Sequence, residues 1–228
     1  MYGDPRGYKQ TGRKEWYHFT PTLHTNRLAE IYLWSMDRKD MERVPVEGWF
    51  AYLEGKDPSY PEKALRADLE RLRNGVRRLE ADDTTPDTRL ADYVQGMNPL
   101  QHNALAELTT GAYLTARIWT FHARVRYFDA ARQRPGLPRD VAPLAEKFDA
   151  NSTTVSLVNT NPVESRTLYL QSGGFAEHQI VSASLNGQPV PVNDSAVRVK
   201  LAPGAGGQIV LQVKRYANEP TLRLPWQR

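Results

Sequence analysis

The hydrophobic period of this chain changes near residue 115, and that change limits the possible folds more than any other feature. From Asn98, in NPLQHNALAELTTG, apolar residues recur at helical spacing; from Ile118 onward they alternate. A period of 3.6 buries one stripe of a helix and a period of two buries one face of a strand, so no single element satisfies both. The pattern predicts an α+β chain. A helical segment over 1–114 precedes an antiparallel β-sandwich over 115–228, with about seven strands beginning near Arg117.

In WTFHARVRY, Trp119, Phe121, Ala123, Val125 and Tyr127 fall on one side of an expected strand. Thr120, His122, Arg124 and Arg126 fall on the other. Alternation together with β-branched and aromatic content favours a strand over a helix. Two arginines and a histidine on one sheet face could bind an anion, although an exposed face paired with nearby acids is the plainer expectation.

Upstream, Thr25 or Asn26 can cap a helix over Arg27–Asp37, whose sequence RLAEIYLWSMD is apolar around much of its circumference. A shorter helix, Val46–Leu53, carries Trp49, Phe50 and Leu53 and ends at Gly55. Ser59 with Glu62 matches a capping box, and Pro61 suits a first turn, so a long helix is expected over Ser59–Asp82. Its Leu65, Leu69, Leu72, Val76 and Leu79 form a narrow apolar seam. Gly75 should weaken it by about 1 kcal/mol relative to Ala. A short helix near Arg89–Val94 follows. Asn98-Pro99 opens another, running to Leu108 with Leu100, Ala104, Leu105 and Leu108 on one side, and Gly111 supplies a left-handed stop. The apolar faces of this half must pack on the β half, on another chain, or on helices upstream of Met1.

Downstream, RQRPGLPRDVAP reads as a Pro-rich connector with one helical turn over Asp140–Phe148. Strands are expected at Thr154–Asn159, Arg166–Gln171, His178–Leu185, Ala196–Leu201 and Gln208–Arg215, separated by Gly, Pro and Asn turn signals. Asn186-Gly187 is the strongest of these, because a type I′ hairpin needs positive φ at both central residues. The tail YANEPTLRLPWQR has no period and is expected to lie across a neighbouring surface.

Composition removes several functions. The chain has no cysteine, which excludes thiolate chemistry, disulfides and Cys-ligated zinc or iron–sulfur centres. A net charge of +4 spread among interleaved acids and bases does not make a nucleic-acid face. No apolar run approaches the about 20 residues of a membrane helix, and no signal peptide is visible. The opening MYGDPRGYKQTGRKEWYHF is polar and without a regular period, and reads either as an ordered loop or as a chain that starts inside a larger protein. There is no P-loop, no GxGxxG after a strand and no GxSxG. Glu80, Asp82, Asp83 and Asp87 fall in a polar loop whose spacing is not that of an EF-hand, so a solvated loop is expected there rather than calcium. Neither a metal nor a cofactor is expected.

The richest cluster of reactive side chains is WYHFTPTLHTNR, Trp16 to Arg27. Tyr17, His18 and His24 can abstract and return a proton, and Arg27 can hold a carboxylate. Trp16 and Asn26 would contact a sugar ring, which offers apolar C–H faces and polar edges. The alternative is that Trp16, Tyr17 and Phe19 are core and the histidines only cap or hydrogen-bond. His102 is expected to be exposed or at a helix interface. Glu177 and His178 follow a Gly pair, but neighbours on a strand face opposite ways and would not form an acid–base pair.

The phrases EWYHFTPTLHTNR, DPSYPEKALRADLERL, RYFDAARQRPGLPRDVAPL, VSLVNTNPVESRTLYLQSGGFAEHQI and RYANEPT together resemble the C-terminal part of large, mostly uncharacterised bacterial proteins. Those proteins carry an α/α-toroid followed by a β-sandwich. Polysaccharide lyases and some glycoside hydrolases have a similar architecture. The resemblance implies the C-terminal portion of a carbohydrate-active enzyme, or else a non-catalytic accessory or glycan-binding module. It also implies a glycan partner, missing upstream toroid helices and an exported protein. It supplies no catalytic motif.

Overall fold

A computed structural model describes residues 8–9, 18–19, 25–89, 98–100, 102–113 and 122–227. A two-residue antiparallel pair comes first: β1 (Tyr8–Lys9) against β2 (His18–Phe19), with Lys9 opposite His18. The described helices are α1 (Thr25–Ser35), α2 (Arg38–Met41), α3 (Gly48–Leu53), α4 (Tyr60–Glu80) and α5 (Asn103–Thr110). The short helix expected at Arg89–Val94 lies almost wholly outside the described residues.

Ten strands follow. They are β3 (Val125–Asp129), β4 (Arg134–Pro135), β5 (Val141–Phe148), β6 (Ser152–Asn159), β7 (Arg166–Ser172), β8 (Gln179–Leu185), β9 (Gln188–Val190), β10 (Val192–Asn193), β11 (Ala196–Leu201) and β12 (Gly206–Lys214). They form two five-stranded antiparallel sheets, ordered β10-β11-β7-β3-β4 and β5-β6-β12-β8-β9. One shared core lies between them. Val125, Leu168, Leu170 and Val199 come from the first sheet and Val155, Leu157, Ile209 and Leu211 from the second. In β6 and β12 alternate residues are buried, as the pleat requires. Asn186 and Gly187 take φ of 50° and 79°, and the β8–β9 hairpin closes around them as expected.

Three sequence expectations are corrected. The region Asp140–Phe148 is strand β5, not a helical turn. A bulge between Ala145 and Lys147 shifts its register, so Phe148 falls opposite the buried Thr153. The buried positions then become Val141, Ala145 and Phe148, spaced four and three apart, which mimics a helical period. The Ser59–Glu62 capping box does not form. Ser59 is already in helical conformation, and its hydroxyl donates to Asp57 Oδ1 at 2.5 Å. Third, α5 starts at Asn103 rather than at Asn98-Pro99, so Leu100 and Leu105 are exposed and only Ala104 and Leu108 of the expected stripe are buried.

The helices have their own core. Leu28, Tyr32 and Leu33 of α1 and Met36 just after it pack with Trp49, Phe50 and Leu108, and Phe148 reaches into this core from β5. The α4 seam does not join this core. Leu65, Leu69, Val76 and Leu79 are each 40–45% exposed, while Asp68 and Gly75 form the buried face. The placement of Gly75 reverses the propensity expectation. A Cβ there would stand 2.7 Å from Pro99 Cβ. Gly75→Ala is therefore expected to lower stability by about 1–3 kcal/mol despite the better helix former, read as a lowered denaturant midpoint.

The tail runs as expected over a neighbouring surface. Thr221 N donates to Phe175 O, and Trp226 packs on Phe128 and Tyr169 at centroid distances of 6.0 and 6.2 Å.

Candidate functional site

Of the residues singled out from sequence, Trp16, Tyr17 and His24 lie outside the described residues. His18 stands in β2, and Asn26 and Arg27 stand in the first turn of α1. Ala29 lines a cavity of about 200 Å³ whose other walls are Trp49, Phe50, Tyr60, Glu107, Tyr113 and the turn at 44–47.

The cavity forms where four helices and the chain after α5 meet. Gly111, at φ 64°, ends α5 in the left-handed region and lets the chain turn back so that Tyr113 faces Trp49. Those two rings are parallel, with centroids 6.1 Å apart and an interplanar angle of 5°. Phe50 stands at 5.4 Å from Trp49 and 5.8 Å from Tyr113. The Trp49 indole N–H is buried with no acceptor among the described residues.

One acid sits among these rings. Glu107 is 9% exposed, and burial pushes its carboxyl up to about 7. The Tyr60 hydroxyl donates to its Oε2 at 3.1 Å and pulls the other way, while the nearby Asp68 charge adds to the rise. Burial also raises the Tyr60 hydroxyl, and the Glu107 charge raises it further. Among the described residues Tyr60 is the only side-chain partner of the Glu107 carboxyl, so Oε1 is available to a ligand. Asp68, on the buried face of α4, takes Arg71 Nη2 at 2.5 Å through Oδ1, and its Oδ2 has no partner.

A carboxyl that titrates near neutrality can both give and take a proton. Apolar ring faces around it suit a compact ligand with polar edges. The volume is below the roughly 300 Å³ of drug-sized sites, which limits the ligand to about one ring.

Sequence reasoning missed Glu107. Its signal was present: in α5 it lies at i+3 from Ala104 and next to Leu108, on the buried stripe, where an acid is out of place. His102 is exposed at the N-terminus of α5 and caps nothing with its side chain. Glu177 and His178 form no acid–base pair. The Glu177 carboxylate accepts from Gly174 N and Phe175 N, and buried His178 accepts Tyr216 N on Nδ1. In the polar loop, Asp82 accepts from Thr84 and Arg89, and no group of acids and histidines among the described residues is arranged to hold a metal.

A family described as Domain of unknown function (DUF8034) matches residues 45–106. That span takes in Trp49, Phe50 and Tyr60 of the cavity and stops one residue short of Glu107. No curated protein and no solved structure matches the chain.

Proposed function

We propose that this chain is the C-terminal portion of a carbohydrate-active enzyme of the lyase or glycoside hydrolase type, and that the cavity beside Glu107 holds one sugar ring. The observation that carries the proposal is a carboxyl titrating near 7 within walls of Trp49, Phe50 and Tyr113. The aromatic faces stack on the C–H face of the ring. Glu107 passes a proton at Oε1, and Tyr60 holds the carboxyl in place through Oε2. Arg27, His18 and His24 of the Trp16–Arg27 cluster precede Ala29 in sequence. They would neutralise a uronate carboxylate or take a second proton.

The exposed α4 seam supports the toroid half of the proposal. A helix with four large apolar residues each 40–45% exposed is what a toroid would leave at the edge where further helices attach.

The test is a screen of the chain and of Glu107→Gln against acidic and neutral polysaccharides. The wild-type chain is expected to release products, followed as new reducing ends or as near-ultraviolet absorbance from unsaturated sugars. Glu107→Gln is expected to lose about 10²–10⁴-fold in turnover while keeping its retention on a glycan column. Retention by both without any product would make this a binding module. Neither retention nor product would remove the carbohydrate assignment.

A further inference from the structure

A second group of polar side chains lies where the helices meet the sandwich, and the cavity does not use it. Arg124, just before β3, is 1% exposed. Its Nη2 donates to Asp149 O at 2.9 Å, and its guanidinium carbon lies 4.8 Å from the centroid of the Phe148 ring. Among the described residues its Nε and Nη1 have no acceptor, which leaves three N–H bonds of a buried cation unspent.

Arg215, just after β12, donates to the carbonyls of Ser35 and Trp34 at the C-terminal end of α1, and its Nε is buried without a partner. His122 packs edge-on against Trp34, with centroids 5.1 Å apart; its buried ring nitrogens have no side-chain partner among the described residues, and the Leu33 backbone acts on the ring as an acceptor. Among the described residues no carboxylate forms a direct ion pair with Arg124, Arg215 or His122; the Asp149 carboxylate acts on Arg124 only through space. The expectation of an exposed sheet face paired with acids is overturned here: Arg124 is buried, His122 is partly buried, and β3 starts only at Val125.

An unpaired buried arginine is costly by several kcal/mol, and replacing it with an apolar side chain would remove that cost. The fold instead builds around it. The Gly111 turn gives it room, since a Cβ there would stand 2.9 Å from Arg124 Cγ. Its backbone N–H and C=O are tied to Thr110 and Gly173.

We propose that Arg124, Arg215 and His122 form a binding site for one small oxyanion, a phosphate or a carboxylate, which locks the end of α1 and the turn after α5 onto the sandwich. The anion supplies the acceptors that Arg124 Nε and Nη1 lack and offsets the two guanidinium charges. It needs no glycan and is independent of turnover at Glu107.

The test uses the whole chain. Thermal melts are run in chloride, phosphate and acetate at matched ionic strength. The matching anion is expected to raise Tm by about 3–6 °C per tenfold concentration above its Kd. A phosphate increment that the arginine variants lose assigns a phosphate, and an acetate increment that they lose assigns a carboxylate. Arg124→Met and Arg215→Met are expected to lose that increment while keeping the general salting-out rise that phosphate gives any protein. Should both variants fail to fold, equilibrium dialysis of the wild-type chain with phosphate and with acetate decides. One anion bound per chain upholds the site and none overturns it. A phosphate and acetate response that is the same in wild type and in both variants also overturns it.

Discussion

Leu211→Ala is expected to lower the stability of the chain by about 2–5 kcal/mol, the range for removing a fully buried leucine side chain from a packed core. Leu211 is 0% exposed in β12, the central strand of its sheet, between Thr153 of β6 and Ala183 of β8. Strands on both sides and a second sheet above hold the site open, so little collapse can fill the space left behind. For a chain of this length the loss corresponds to a fall in Tm of about 5–15 °C. Val163→Ala, at a position 80% exposed, should change stability by under about 0.5 kcal/mol. Because Phe148, Arg124 and Arg215 join the two cores, circular dichroism and tryptophan fluorescence should shift together. A Leu211→Ala chain that melts with wild type would mean that the face between the sheets is not the core.

Much of this architecture can be read from residue spacing, and the failures have definite causes. Ala196–Leu201 matches its strand because Val197 to Leu201 alternate in and out along the pleat, and only Ala196 departs from the pattern. β5 was misread because one bulge turned a period of two into spacings of four and three. Residues 122–124 were misread for a different reason: alternation assigns Arg124 to the solvent side, but the helices cover that side too. Spacing within one element cannot reveal what a distant element lays over it. The same limit hid Glu107. The Trp16–Arg27 cluster stood out because its reactive residues are neighbours in sequence. Glu107 gains its chemistry from Tyr60, Asp68 and Trp49, all at least 39 residues away, and only burial by them changes its proton affinity.

The pH dependence of stability separates Glu107 from every other titrating group. Its folded carboxyl sits at about 7 against an ordinary 4.5, so the folded state holds the proton more tightly than the unfolded chain. The stabilisation is complete below 4.5, is lost as pH rises through 7, and amounts to about 3 kcal/mol across that window. His122 acts in the opposite sense. Burial, and after it the charge of Arg124, lowers it to about 3 from 6.5, so its contribution is present above 6.5 and is lost as pH falls. Between about 4.5 and 6.5 the two slopes oppose, and their contributions to the wild-type curve cancel. Glu107→Gln keeps an acceptor for Tyr60 and removes one of the two slopes. The variant is therefore expected to match wild type near pH 4.5 and to exceed it by about 3 kcal/mol at pH 8, in urea titrations run across that range. The difference between the two curves cancels every group they share, so its midpoint reports Glu107 directly. A constant offset, or a variant that is weaker at pH 8, would mean that the carboxyl is ionised at low cost in the fold, and the proton-transfer role given to it would go as well.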